Sequence, residues 1–503
     1  MAGTFEMIAE GFSIAFRMNN LVLMLIGVVI GLIAGSIPGL SSTNTTAMLL
    51  PVTLMFPMEG ALIFIAAVYM ASQYGGSITA ILINTPGTNG AIATTLDGFP
   101  LCRQGKAGVA MGLSLFGSTV GGLVSAMLCM LIMKPISRYA LMVGTAELFL
   151  LALLGISIII SLSEKAPIKG GLAGAIGLLI AAIPAEPSFG MPRATFGFFE
   201  LYDGVPLISL MCGFFAFPSM ISLVGSDYIA TVGDKDVKVG IRSILEGCVE
   251  AIKRPFLMLF SAVSGMLIGI LPGAGVNVAA LLTYTQAKNF SKHPEEFGHG
   301  SYEGVLAPET ANNAVAPGAL VPALTLGVPG SATTAVLLAA LTLNGVNPGP
   351  RVMTNYGGEV YSVFAAIFLA TLAMFVLGLP YTAMASRIAT VNLAYLIPGV
   401  IAVCVMGCFA TRSLLFDVWI FLFFGFLGYF MQKADFQHAP FVLGIVMGAL
   451  AEKNFSIAIK LSGGSFGIFF ASPFAIIIWA IILVSIAYPV VQKQLKKKKT
   501  RAV

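Results

Sequence analysis

From Ala61 to Ile83 the chain runs 23 residues without a charged side chain, and apolar runs of this kind recur along most of its length. A helix needs about 20 such residues to cross the hydrocarbon core of a bilayer. The runs are Leu21–Gly35, Ala61–Ile83, Gly108–Met133, Leu148–Leu162, Gly170–Ile183, Val205–Val224, Pro255–Leu271, Ala319–Leu343, Val360–Met384, Leu393–Ala410, Leu414–Met431, Pro440–Leu450 and Phe466–Val490. Several are short or interrupted, which gives about 11 to 13 membrane-entering segments. Only 10% of the 503 residues are charged, against about 25% in a soluble protein. Mean hydropathy is +0.94. No soluble domain hides that much apolar surface, so the lipid bilayer is the solvent for much of it. The fold class expected is an all-α polytopic integral membrane protein. The 56 glycines agree, since small residues let membrane helices approach closely and glycine tolerates unwound backbone.

The polar interludes are few. Asp227–Arg254 holds ten charged residues in balance and reads as a connector, and Lys288–Glu303 is the second polar stretch. Much of the net charge of +5 sits at the end, in Lys493, Lys496, Lys497, Lys498, Lys499 and Arg501. A basic run beside a span end places the C-terminus in the cytoplasm. With no basic face elsewhere, a nucleic-acid partner is not expected. The six cysteines and three histidines form no ligand pattern, so no metal site is expected. The start is polar up to Asn20 and the first apolar run ends in Pro-Gly, which does not read as a cleavable signal peptide.

The two sides of the connector resemble each other. Gly31-x3-Gly35-x2-Pro38-Gly39 recurs as Gly265-x3-Gly269-x2-Pro272-Gly273, shifted by 234 residues, and Gly75-x10-Pro86-Gly87 recurs as Gly318-x10-Pro329-Gly330, shifted by 243. The nine extra residues fall in the polar stretch near Ser291–Ser301, and Pro206 and Pro440 again stand 234 apart. This order and spacing predicts two structural repeats. An inverted pair is the arrangement expected for a carrier, although half-spans leave the parity of crossings, and so the orientation, open. The division expected is 1–225 for the first repeat, 226–254 for the connector, 255–490 for the second repeat and 491–503 for the basic tail.

Each repeat breaks its apolar runs twice with Pro-Gly and small polar residues. Proline removes a helix hydrogen bond, and glycine lets the chain turn. Irregular backbone at membrane depth survives only when buried or lining a wet cavity, so these breaks predict broken helices and re-entrant hairpins. Their helix N-termini attract anions and their freed carbonyls bind cations. The alternative is that the breaks are turns outside the membrane or kinks that only pack helices. Candidate cargo-binding residues are Gly39, Thr43, Asn44 and Thr45 in the first break, and Asn84, Thr85, Gly87 and Thr88 in the second. Their counterparts are Gly273 and Asn277, and then Gly330, Ser331 and Thr333. The tips after Pro38 and Pro272 are expected to meet, with Asn44 and Asn277 offering amides. Lys and Arg are absent from all four tips. Candidate ion-coupling residues are Pro38 and Pro272, where the breaks free carbonyls, and Glu309 with Asn312 and Asn313, because an ionisable group such as Glu309 is expensive inside a membrane. Glu147 and Glu452 fit a water interface equally well. No Gly-x4-Gly-Lys-Ser/Thr loop, His-Glu-x2-His or Gly-x-Ser-x-Gly occurs, so ATP hydrolysis and enzyme chemistry are not expected and an ion gradient is left as the driver.

These residues resemble the large membrane subunit of tripartite tricarboxylate transporters, the TctA-type family, over nearly the whole chain. Besides the two glycine motifs, the resemblance is carried by Tyr74-Gly75-Gly76-Ser77, Asp97-Gly98 and Gln104-Gly105-Lys106-Ala107. In the second half it is carried by Ala307-Pro308-Glu309-Thr310-Ala311-Asn312-Asn313-Ala314, Leu326-Gly327-Val328-Pro329-Gly330-Ser331 and Gly444-x3-Gly448-x3-Glu452. The resemblance implies an importer in a bacterial inner membrane, coupled to sodium or protons and needing no other cofactor. It implies a small membrane subunit and a periplasmic solute-binding protein as partners, and citrate or another small carboxylate as cargo. An ion or solute channel on the same repeats is the alternative.

Overall fold

The structure, a computed structural model, describes residues 3–162, 167–184, 191, 193–224, 239–271, 275–384 and 393–483. Pro272, Gly273 and the basic tail lie outside the described residues. Among those described, no strand occurs. The first half holds α1 Thr4–Ala15, α2 Met18–Gly35, α3 Ser42–Thr53, α4 Met58–Ile83, α5 Ile92–Arg103, α6 Ala107–Ala140, α7 Thr145–Leu162 and α8 Pro167–Ala181. A π-helical turn, Cys212–Ala216, then joins α9 Leu207–Met211 to α10 Phe217–Leu223. The second half holds α11 Ile241–Ile252, α12 Pro255–Ile270, α13 Gly275–Phe290, α14 Tyr302–Leu326, α15 Ala332–Leu343, α16 Val352–Asn355 and α17 Gly357–Ala383. It continues with α18 Leu393–Arg412, α19 Leu415–Lys433 and α20 His438–Leu461.

Six helices among the described residues are long and apolar enough to cross a bilayer: α2, α4, α6, α17, α19 and α20. The chain is a multi-pass membrane protein. Other apolar helices are too short to span alone, among them Ile168–Ala181, Ala332–Leu343 and Pro473–Leu483. One sequence expectation changes here. The run Ala319–Leu343 is not one segment, because it breaks after Leu326 into α14 and α15. The described part of the connector carries α11, which packs on α6 and meets α12 at a bend of 83°.

At the centre lie α4 and α14. Every residue of α4 from Gly60 to Ile81 is buried, as is every residue of α14 from Gly304 to Thr325. Helix α14 carries Glu309, Asn312, Asn313 and three prolines, too polar a mix to face lipid but tolerable where protein surrounds it. Close approach on either side depends on glycine. A Cβ on Gly31 would stand 2.6 Å from the Val68 carbonyl oxygen, and one on Gly265 would stand 2.5 Å from that of Ala311. Gly35 meets Ser72 as Gly269 meets Val315, and Gly75 meets Leu32 as Gly318 meets Met266. These partners are themselves 243, 243 and 234 residues apart, so the sequence offsets reappear in the packing. The α4 and α14 helices also stop one offset apart, at left-handed caps Asn84 (φ 54) and Gly327 (φ 73).

Candidate transport site

The first break turns between α2 and α3. Gly39 takes φ +88, a conformation that disfavours any residue with a Cβ. Ser41 then caps α3, its hydroxyl accepting the Asn44 N–H at 3.2 Å. The Asn44 amide nitrogen donates to Ser219 at 2.6 Å and to the Gly39 carbonyl at 3.1 Å. Thr45 is buried, and its hydroxyl donates back to the Ser41 carbonyl at 3.0 Å. Pro38 is half-buried in this turn.

The second breaks follow α4 and α14 in the same way. The Thr85 N–H donates to the Thr79 carbonyl at 3.4 Å, and the Val328 N–H donates to that of Pro322 at 3.3 Å. A Cβ on Gly87 would stand 2.1 Å from the Gly35 carbonyl oxygen, and one on Gly330 would stand 2.6 Å from that of Gly269. Both glycines therefore lock a tip onto its own half. Thr88 is buried against Gly76, whereas Asn84 and Thr85 are exposed. Ser331 caps α15 and exchanges hydrogen bonds with Thr334.

The structure brings tips of the two halves together in a crossed pattern. The Thr43 and Thr333 hydroxyls share a hydrogen bond at 2.7 Å. Each is the second residue of its helix, so the N-termini of α3 and α15 meet head to head. Helix α13, with Asn277 near its start, packs instead against the short turn Asn89–Ala91 and α5. The helix after the first break of one half thus touches the helix after the second break of the other, and α13 in turn touches the helical turn that follows the second break of the first half. The expected meeting of the Pro38 and Pro272 tips involves residues outside the described set.

Glu309 lies one turn before Asn312 on α14 and is fully buried. Its carboxylate accepts hydroxyl hydrogen bonds from Ser77 at 2.6 Å, Ser118 at 3.0 Å and Ser114 at 3.1 Å, and from Thr94. Four hydroxyls from α4, α5 and α6 satisfy one carboxylate, the arrangement that makes a buried charge tolerable. The amide nitrogen of Asn312 donates to the Gln73 carbonyl at 3.4 Å, and that of Asn313 to the Met70 carbonyl at 3.3 Å. The oxygen of each side chain has no partner.

Of the hydroxyls around Glu309, sequence reasoning named only Ser77, as the end of a motif, and passed over Thr94, Ser114, Ser118 and also Gln73. Ser114 and Ser118 left a signal, two hydroxyls four apart inside a long apolar run. Asp97 was noted only as part of a motif. It is buried, and one carboxylate oxygen accepts the N–H groups of Gly298, Gly300 and Ser301, each at 2.8 Å. It thereby ties α5 to the loop that opens α14. Glu147 accepts from Ser472 at 2.5 Å and Glu452 pairs with Arg193 at 2.6 Å, both partly exposed. Cys404 and Cys408 are buried in an apolar cluster with Cys212. Among the described residues no group of three or more His, Cys, Asp or Glu could hold a metal ion.

A bundle of membrane helices, with two helix starts meeting inside it and a buried carboxylate close by, defines an integral membrane protein with a polar interior site. Residues 21–443 match the tripartite tricarboxylate transporter TctA family, and the chain belongs to that family. It is therefore a transporter component, of the kind that forms the large subunit of tripartite tricarboxylate transporters. It is 33% identical over 470 residues, 92% of each chain, to an uncharacterized 52.8 kDa protein in the TAR-I ttuC' 3' region of Agrobacterium vitis. It is 36% identical over 211 residues to an uncharacterized protein in the TAR-II ttuC' 3' region of the same organism, covering 42% of this chain and 87% of that one. No solved structure matches.

Proposed function

We propose that the chain is the membrane-translocating subunit of a secondary carrier that imports small carboxylates, citrate or a related organic acid, down a sodium or proton gradient. In this reading it works with a small membrane subunit and a periplasmic binding protein in a bacterial inner membrane, its basic tail in the cytoplasm. The observation that carries the proposal is the head-to-head meeting of α3 and α15 through Thr43 and Thr333. Each helix start bears roughly half a positive charge. Two such ends in contact repel unless an anion sits between them, and a carboxylate supplies that anion. The residues at hand, Ser41, Thr43, Asn44, Ser331 and Thr333, offer neutral hydrogen bonds and N–H groups. A carboxylate held this way is released more readily than one held by a buried lysine.

The matching glycine contacts and matching left-handed caps support two repeats. The crossed pairing of their breaks supports an inverted relation, in which a rocking of one half against the other opens the junction to either side. Glu309, Asn312 and Asn313 form the ion-coupling region of this reading.

The test is uptake by the chain reconstituted in liposomes with its two partner proteins. A labelled small carboxylate should accumulate above its external concentration when a sodium or proton gradient is imposed. Flux that only equilibrates the carboxylate, with or without a gradient, rejects the carrier and favours a channel.

A further inference from the structure

The two halves differ where their tips cross. At the α3–α15 junction, Thr43 of the first half bonds Thr333 of the second. Shifted by the repeat offsets of 234 and 243, Thr43 becomes Asn277, Thr333 becomes Gly90 and Tyr69 becomes Asn312. The second junction therefore lacks the hydroxyl pair. Where one half places the Thr333 side chain, the other has a glycine. Where one half places the buried Tyr69, the other has an asparagine.

The polar atoms at this second junction are left open in one particular way. The Asn312 oxygen has no hydrogen-bond partner, although the residue is fully buried. Its amide nitrogen faces the Gln73 carbonyl. That contact fixes which end of the side chain is oxygen, since the flipped amide would set two oxygens against each other. The oxygen points at Gly90, and a Cβ there would stand 1.9 Å from it. The Asn277 side-chain oxygen is likewise buried and without a partner. Its helix, α13, packs against the turn that contains Gly90. A buried amide oxygen left without a donor costs about 1–3 kcal/mol, and the two unpaired oxygens lie on α14 and α13, both of which pack on the turn that contains Gly90.

Resting on the carrier reading above, we propose that the junctions divide the two ligands. The carboxylate takes the α3–α15 junction. A single sodium ion takes the other, bound by the oxygens of Asn312 and Asn277, with Glu309 supplying the balancing charge one turn away. Three physical points lead to sodium. Amide oxygens bind hard cations but are far too weakly basic to take up a proton. Oxygen-only ligands exclude the soft metals. Glu309 is the one carboxylate of α14 at this depth, so it neutralises one positive charge, whereas a divalent ion would leave a buried excess. The start of α13 opposes a cation with about half a charge, which the full charge of Glu309 outweighs. Asn277 thus moves from the cargo site to the ion site.

The test uses the full-length chain in detergent and reads thermal unfolding against sodium concentration, with choline holding ionic strength constant. Sodium should raise the unfolding temperature saturably, and potassium should not. Asn312→Leu and Gly90→Ala should each raise the half-saturating sodium concentration at least tenfold. Gly90→Ala removes no polar group and serves where Asn312→Leu does not yield a monodisperse protein. Thr43→Val, on the other junction, should leave the sodium response unchanged. The inference is overturned if sodium has no effect on the unmodified chain, if Gly90→Ala keeps the original half-saturation, or if Thr43→Val shifts it as far. Concentrative uptake driven by protons alone overturns this site and leaves the carrier standing. Sodium binding with the expected variant pattern, but only downhill carboxylate flux, does the reverse.

Discussion

Glu309 lends itself to a quantitative perturbation, because both of its oxygens are accounted for by donors on three other helices. Glu309→Leu leaves four buried hydroxyls without their acceptor. Each sits on a helix and can turn to a carbonyl of the preceding turn, so each loss falls near the low end of the range for an unsatisfied polar group. The total is then about 4 kcal/mol. Glu309→Gln behaves differently. Its amide oxygen keeps the site of Ser77, Ser114 and Ser118, and its nitrogen faces Thr94, whose hydroxyl can turn to accept. The charge-assisted part of the bonds is lost, roughly 1 kcal/mol per bond, but the desolvation cost of a buried charge, several kcal/mol, disappears with it. The glutamine variant should therefore unfold within a few degrees of the parent in detergent, or later, and the leucine variant clearly earlier. Both should lose gradient-driven uptake, since neither carries the charge. If leucine and glutamine unfold at the same temperature, the hydroxyls do not depend on the carboxylate and the buried-charge argument fails. A glutamine variant with normal gradient-driven uptake removes Glu309 from ion coupling.

Two further outcomes follow from the same geometry. Gly87→Ala and Gly330→Ala place a methyl 2.1 and 2.6 Å from equivalent carbonyl oxygens. Each should cost about 1–3 kcal/mol as an overpacked contact and should lower uptake to a similar degree, measured at matched expression; an effect confined to one of them contradicts the equivalence of the halves. Thr43→Val and Thr333→Val should each reduce carboxylate uptake, and a double-mutant cycle on unfolding should give a coupling of about 0.5–1.5 kcal/mol; strict additivity would mean that the two helix starts do not hold each other.

Much of this architecture was legible because its glycine motifs recur. One Pro-Gly pair in a glycine-rich chain means little, but two spaced motifs at nearly constant offset marked Gly31, Gly35, Gly75, Gly87 and their partners before any contact was known. The contacts show why glycine is needed there: a carbonyl of the neighbouring element occupies the space of the missing side chain. The halves of the site that face each other were not legible. Thr43 meets Thr333 across 290 residues, and nothing in either segment names the other. The hydroxyls around Glu309 were hidden for a related reason, since Ser77, Thr94, Ser114 and Ser118 are unremarkable in small-residue membrane helices and gain meaning only from the carboxylate they surround.

The differences between the halves carry as much as the likenesses. Perfect repeats would build two identical junctions, each able to take the same ligand. Here one junction is closed by a hydroxyl pair, and the other presents an amide oxygen without a partner one helical turn from a buried carboxylate. The substitutions responsible fall at equivalent positions: Ala66 against Glu309, Tyr69 against Asn312, Met70 against Asn313, Thr43 against Asn277. Three of these four lie on one face of the central helix pair, at i, i+3 and i+4, so a single helical stripe separates a packing surface on α4 from a polar surface on α14. Both surfaces sit on helices buried over Gly60–Ile81 and Gly304–Thr325. The shorter helices α3, α13 and α15 bring their ends to those surfaces. A movement of one half against the other must then alter both junctions together, because each junction is built from one break of each half. That is the geometric condition for coupling an anion to a cation without any direct contact between the two.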